Sequence, residues 1–121
     1  MGIVLSSCFA RHEFAAFVAL VINFNTSRLT VRCVDSLLAT GIQNILVLDN
    51  ASCSGDVVHL RAALGNYGAY VRIIESHRNL GFAAGSNLLI DLAIRNPVMR
   101  FVLLLNNDAV ALPPGMATML R

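Results

Sequence analysis

Residues 17–24 read FVALVINF. A run this apolar, with no polar break until Asn23, predicts a strand buried on both faces, the mark of a parallel sheet. The chain to its C-terminal side continues the theme. Thr26 or Ser27 can cap a helix through about residue 40, where Leu29, Cys33, Val34, Leu37 and Leu38 recur at helical spacing and Gly41 supplies the stop. Residues 44–49 (NILVLD) predict a second buried strand, and Ser54 can cap a helix over 55–64 with Val57, Leu60, Ala63 and Leu64 inward. Residues 69–74 (AYVRII) predict a third strand. Gly81 opens a helix over 82–95, which ends at Asn96-Pro97 because the residue before proline avoids the helical region. Residues 100–105 (RFVLLL) predict a fourth strand, and Pro113-Pro114 suits the first turn of another helix.

Strands alternating with helices across short connections imply right-handed crossovers. The expected fold is therefore α/β, a Rossmann-like parallel sheet in the order β-α-β-α-β-α-β with helices on both faces. Residues 1–13 fit no element and are expected to form an irregular leader, with residues 14–121 forming one domain.

Composition narrows the class further. The chain has 121 residues, of which 56% are hydrophobic and 13% charged, so a packed core outweighs disorder. Its nine basic residues are all Arg, scattered and nearly balanced by seven acids, which leaves no basic arm or stripe for nucleic acid. The longest uncharged apolar run, residues 14–22, is far short of the roughly 20 residues that span a bilayer, so no transmembrane segment is expected. Three cysteines (Cys8, Cys33 and Cys53) form no C-x-x-C pair, which argues against a disulfide framework or zinc site and fits a reducing cytoplasm. His12, His59 and His77 share no ligand spacing.

The polar residues gather where strands end. In a parallel sheet all carboxyl ends share one edge, and ligands bind there. The first strand ends in Asn23-Phe24-Asn25, the second in Asp49-Asn50-Ala51-Ser52 and the fourth in Asn106-Asn107-Asp108, while Arg78-Asn79-Leu80-Gly81 follows the third. The loops at the other edge carry ordinary turn residues. No G-x-G-x-x-G follows the first strand, and no G-x-x-x-x-G-K-[ST] exists in a chain without lysine. A pyrophosphate would then need a divalent cation held by a carboxylate, a role for which Asp108 is placed. Asp49 is placed to accept hydrogen bonds from a nucleobase or ribose. Each residue also has a plain structural use: Asn23 and Asn25 as strand-end and cap residues, Arg78 as a solvated cation, Gly85 for close helix–sheet packing.

Four segments then converge. V-I-N-F-N at 21–25, V-L-D-N-A-S at 47–52, R-N-L-G-F-A-A-G-S-N at 78–87 and L-L-L-N-N-D at 103–108 stand in the order and spacing of one family. From about Val18 to Leu120 the chain resembles the first half of a family 2 (GT-A fold) glycosyltransferase, most closely the rhamnosyltransferase-like branch. That resemblance implies the nucleotide-binding half of a GT-A fold and a nucleotide-diphosphate sugar, UDP- or dTDP-linked. The sugar would pass, with inversion, to a glycan or lipid-linked acceptor in bacterial polysaccharide synthesis, in the cytoplasm or at the inner membrane surface. By the same resemblance the segment matching Asn23–Asn25 lines the nucleotide pocket, and the acid matching Asp49, beside Asn50, bonds the base. Arg78, Asn79 and Gly81 close over the nucleoside. Asn106, Asn107 and Asp108 meet ribose and diphosphate, with Asp108 holding Mg²⁺ or Mn²⁺. The family's usual D-x-D is N-N-D here. The resemblance also places the acceptor half and the general base beyond Arg121, which leads to the expectation of a truncated, self-associating chain that turns nothing over alone.

A second reading stays open: a non-catalytic α/β domain, either a nucleotide binder derived from a transferase or an interaction module. A third, an unrelated doubly wound fold, requires that Asp49 and Asp108 not share an edge.

Overall fold

The computed structural model describes residues 15–114 and Met116; the leader expected over 1–13, and most of the helix expected after Pro113-Pro114, lie outside the described residues. Strand β1 (Phe17–Asn23) runs into helix α1 (Ser27–Ala39), then β2 (Ile45–Asn50), α2 (Ser54–Leu64), a 3₁₀ segment (Gly65–Tyr70), β3 (Val71–Ser76), α3 (Gly81–Ala93) and β4 (Phe101–Leu105). The four strands form one parallel sheet in the order β3-β2-β1-β4. This is the Rossmann-like α/β arrangement the alternation predicts.

Strand periodicity divides the core into two layers. Ala19, Val21, Ile45 and Val47 point to one face and pack against Cys33, Val34 and Leu37 of α1 and Leu60 and Leu64 of α2. Val18, Leu20 and Leu48 point to the other face and pack against Leu89 and Ala93 of α3. Both faces of β1 are thus covered, which is why its sequence shows no polar alternation. The close approach of α3 depends on Gly85: a Cβ there would meet Leu48 Cδ2 at 3.0 Å and Ile22 Cδ1 at 3.2 Å. The packing role expected for Gly85 is the observed one.

Several boundaries move for identifiable reasons. The third strand begins at Val71 rather than residue 69, because the chain from Gly65 winds as a 3₁₀ segment and turns at Gly68 with φ 57°. The first strand stops at Asn23, since Asn25 adopts φ 54° and turns the chain away. Neither Thr26 nor Ser54 caps its helix with its side chain. The first free N–H of α1, on Ser27, is instead satisfied from another element, by Asp56 Oδ1 at 3.0 Å.

The sheet's two edges differ in character. Outer strand β3 exposes Arg72 and Glu75, and Glu75 is ion-paired with Arg61 of α2. Outer strand β4 reads FVLLL and carries no polar side chain.

Candidate functional site

Chain order gives the sheet a switch point. From β1 the path moves through β2 to β3 on one side, then returns to place β4 on the other side of β1. Loops leaving β1 and β4 therefore diverge and open a crevice at their carboxyl ends, the place where open α/β sheets take ligands. A cleft of about 480 Å³ occupies this position. Its apolar floor is Ile22, Leu29 and Leu105, its polar wall Asn50, Asn79, Asn106 and Asn107, and among the described residues Asp108 is its one charged lining residue. Phe24 and Phe82 stand on it as exposed rings, 46% and 56% accessible.

Asn50 anchors one wall. Its Oδ1 accepts the Leu80 N–H at 2.7 Å, and its Nδ2 donates to the Gly81 carbonyl at 3.3 Å. Asn79 Oδ1 accepts the Gly81 N–H at 2.8 Å, so the start of α3 is fixed by two asparagines. Gly81 takes φ 77°, a conformation a Cβ would strain. On the opposite wall Asn107 Nδ2 donates to Thr26 Oγ1 at 2.6 Å and to Thr30 Oγ1 at 3.0 Å. That geometry spends the amide hydrogens on the Thr26 and Thr30 hydroxyls. Beneath this turn lies Cys33 of α1, whose Sγ–H points to the Asn106 carbonyl at 3.8 Å. Burial first, and the Asp108 carboxylate second, push its thiol up to about 11, so Cys33 stays protonated and inert at neutral pH.

Asn23 and Asp49 share the sheet edge but not the cleft. They are register partners on adjacent strands, and both point to the α1/α2 face. Asn23 is fully buried, and its Nδ2 lies 2.9 Å from Asp49 Oδ1, 2.8 Å from Asp56 Oδ2 and 3.2 Å from Ser52 Oγ. Its Oδ1 accepts the Thr30 hydroxyl at 2.6 Å. Asp49, 2% accessible, also accepts the Ser52 N–H at 3.1 Å. Asn25 closes the latch, since its N–H donates to Ser52 Oγ at 2.8 Å and its Oδ1 accepts the Cys53 N–H at 2.7 Å. For Asp49 to meet a base, this latch must open. Arg78 is exposed and lies outside the cleft lining, its N–H bonded to Ser76 Oγ at 3.3 Å.

The site residues expected from sequence therefore divide. Asn50, Asn79, Gly81, Asn106, Asn107 and Asp108 come together around the cleft, whereas buried Asn23 and Asp49, with exposed Asn25 across their mouth, form a latch beside it. Asp56, Ser52 and Thr30 were not expected. An acid in the first turn of a helix is a legible signal for Asp56, but its reach to Asn23 and Ser27 is a matter of tertiary placement.

Asp56 makes the latch sensitive to acid. Burial alone would raise its carboxyl, but hydrogen bonds from the Asn23 side chain, the Ser27 N–H and the Ser27 and Ser52 hydroxyls together hold it below its ordinary value. A lowered folded-state value means the ionised form stabilises the fold. That contribution is complete above the unfolded carboxylate pKa, about 3.9, and disappears as pH falls through the lower folded value. The urea midpoint of the parent chain should therefore drop on acidification more steeply than that of Asp56→Asn, which has no such proton to bind.

Fold and cleft define a Rossmann-like α/β domain with a largely uncharged pocket at its switch point. No protein-family model matches the chain, and no curated protein matches it. No helix among the described residues is long and apolar enough to cross a membrane. Among the described residues no cluster of three or more His, Cys, Asp and Glu side chains could hold a metal ion.

Proposed function

We propose that the switch-point cleft binds the diphosphate and nucleoside of a nucleotide-diphosphate sugar, UDP- or dTDP-linked, for transfer of the sugar to a glycan or lipid-linked hydroxyl. The observation that carries this reading is the meeting of the 79–81 and 106–108 segments, distant in sequence, across one cleft. Exposed Phe24 and Phe82 offer faces on which a planar base can stack. Gly81 and Asn79 on the lining bring the N-terminal end of α3, the positive end of its dipole, to the cleft, where an anion is favoured.

Among the described residues no Lys or Arg lines the cleft, so a bound diphosphate needs its charge offset from elsewhere. The oxygen donors here, the Asp108 carboxylate and the Asn107 Oδ1, suit a hard cation such as Mg²⁺ or Mn²⁺. Such an ion would stabilise the charge that develops on the departing diphosphate. Asn107, held by Thr26 and Thr30, keeps the turn that carries Asp108 in place. A single carboxylate makes a weak site for an ion on its own, so the ion is expected to arrive with the diphosphate.

Calorimetric titration with UDP and dTDP, with and without Mn²⁺ or Mg²⁺, tests this. In the parent chain the ion should tighten binding by roughly tenfold or more, the scale of one charge-assisted contact. In Asp108→Ala that gain should vanish while the folded state persists, since Asp108 is exposed. If the ion changes nothing in either protein, the metal role is wrong; if neither nucleotide binds, the whole reading fails.

One observation favours the second reading, a domain that binds without transferring. Asp108 is the sole carboxylate on the described lining, and it is committed to the ion, which leaves no described group to deprotonate an acceptor. Binding of the intact sugar nucleotide, with no release of nucleoside diphosphate in the presence of acceptors, would support it.

A further inference from the structure

A chain of hydrogen bonds with a fixed direction runs from the latch to the cleft. It starts at two carboxylates. Asp49 Oδ1 and Asp56 Oδ2 flank Asn23 at 2.9 and 2.8 Å, and an ionised carboxylate can only accept, so Asn23 turns its Nδ2 toward them. Its Oδ1 then faces Thr30, whose hydroxyl donates to it at 2.6 Å. Asn23 and Thr30 are both fully buried, so water supplies neither with another partner. With its only hydrogen committed, the Thr30 hydroxyl offers Asn107 lone pairs alone. Thr26 reaches the same condition separately, since its hydroxyl donates to the Phe24 carbonyl at 3.3 Å. Two acceptors thus stand at the start of α1, and the two hydrogens of Asn107 Nδ2 meet them, at 2.6 Å for Thr26 and 3.0 Å for Thr30.

We propose that the latch orients the cleft. Asp49 and Asp56, acting through Asn23 and Thr30, fix which end of the Asn107 amide is turned to α1, and so hold the 106–108 turn for its ligand. Thr30 is the positioning residue on this path, because it alone touches both Asn23 and Asn107. The opposite orientation of Asn107 would set its oxygen against two hydroxyls whose hydrogens are already committed, acceptor against acceptor. Leaving such groups unpaired costs more than a formed bond gains, so the direction of the chain is strongly held. The buried acids thereby act on the cleft without touching what binds there. The effect on binding rests on the nucleotide-diphosphate reading given above; the direction of the chain does not.

Two substitutions in the full 121-residue chain separate positioning from packing. Thr30→Val keeps the branched shape and removes the hydroxyl, so Asn23 loses a donor and Asn107 an acceptor. Thr30→Ser keeps the hydroxyl and loses one buried methyl. Both should lower the urea midpoint, the first through an unpaired buried oxygen and the second through a small cavity. Only Thr30→Val should reach the cleft. In proton–nitrogen NMR spectra without ligand, its Asn107 side-chain amide should shift and exchange faster with water, while that of Thr30→Ser stays as in the parent. In calorimetry with UDP and Mn²⁺, Thr30→Val should bind about fivefold more weakly, the scale of one net hydrogen bond, and Thr30→Ser should bind within about twofold of the parent. An Asn107 amide unchanged in Thr30→Val overturns the proposal. So does UDP binding that Thr30→Val leaves intact, or that both variants weaken equally, which would make Thr30 a packing residue. If UDP binds to none of the chains, the nucleotide reading fails and the amide spectra alone decide the direction of the chain. Should Thr30→Val fail to fold, the parent decides: both Asn107 amide hydrogens should show nuclear Overhauser contacts to the Thr26 and Thr30 side chains, and their absence overturns the proposal.

Discussion

Replacing Asn23 with Asp is expected to destabilise the chain by about 3–5 kcal/mol at neutral pH, the cost of an uncompensated buried charge. The reason lies in the company Asn23 keeps. Its amide nitrogen donates to both Asp49 and Asp56, at 2.9 and 2.8 Å, and has no path to water. A carboxylate in its place removes the donor and adds a third negative charge, and the Asp49 and Asp56 oxygens then face an acceptor. Acid should reverse the defect. The introduced group binds a proton more readily in the folded chain than unfolded, so its penalty is complete above its raised folded value and fades as pH falls below it. Urea midpoints for the parent and the variant should therefore converge toward about pH 4. Asn23→Leu, which removes the donor without adding charge, should lose stability with no such convergence.

The second large effect is expected at Gly85. Alanine there gains helix propensity of about 1 kcal/mol but presses its Cβ on Leu48 and Ile22, whose terminal methyls can shift by a few tenths of an ångström, so the net change should be small. Valine adds two methyls to the same space and should cost about 2–3 kcal/mol by overpacking. Thermal unfolding of both variants distinguishes this from a general intolerance of side chains. The larger residue should also disturb nucleotide binding, because the Asn50 Nδ2 that holds the start of α3 lies 3.8 Å from that Cβ position. A stable Gly85→Val chain would show that α3 sits farther from the sheet than described.

Much of the fold was legible because it rests on local patterns. The unbroken apolar run at β1 announced a strand covered on both sides, and Leu89 and Ala93 on one face with Cys33, Val34 and Leu37 on the other are the cover. The site was legible only to the level of the sheet edge. Asp49 and Asn50 are neighbours in sequence and both end β2, yet strand periodicity sends them to opposite faces. Asp49 joins the buried latch with Asn23; Asn50 reaches α3 and the cleft. Counting back from Val47 and Leu48 would have assigned the two faces, provided one knew which helices cover which side. That knowledge is tertiary, as is the reach of Asp56 from α2 to Ser27 in place of a local cap. Leu29 shows the same limit, since helical spacing marked it as inward and the structure puts it on the cleft floor.

The unlike character of the two outer strands bears on where an added strand could join the sheet. At β4 it would meet apolar side chains, whereas at β3 it would meet Arg72, Glu75 and the ion pair with Arg61. Charged margins of that kind resist strand addition.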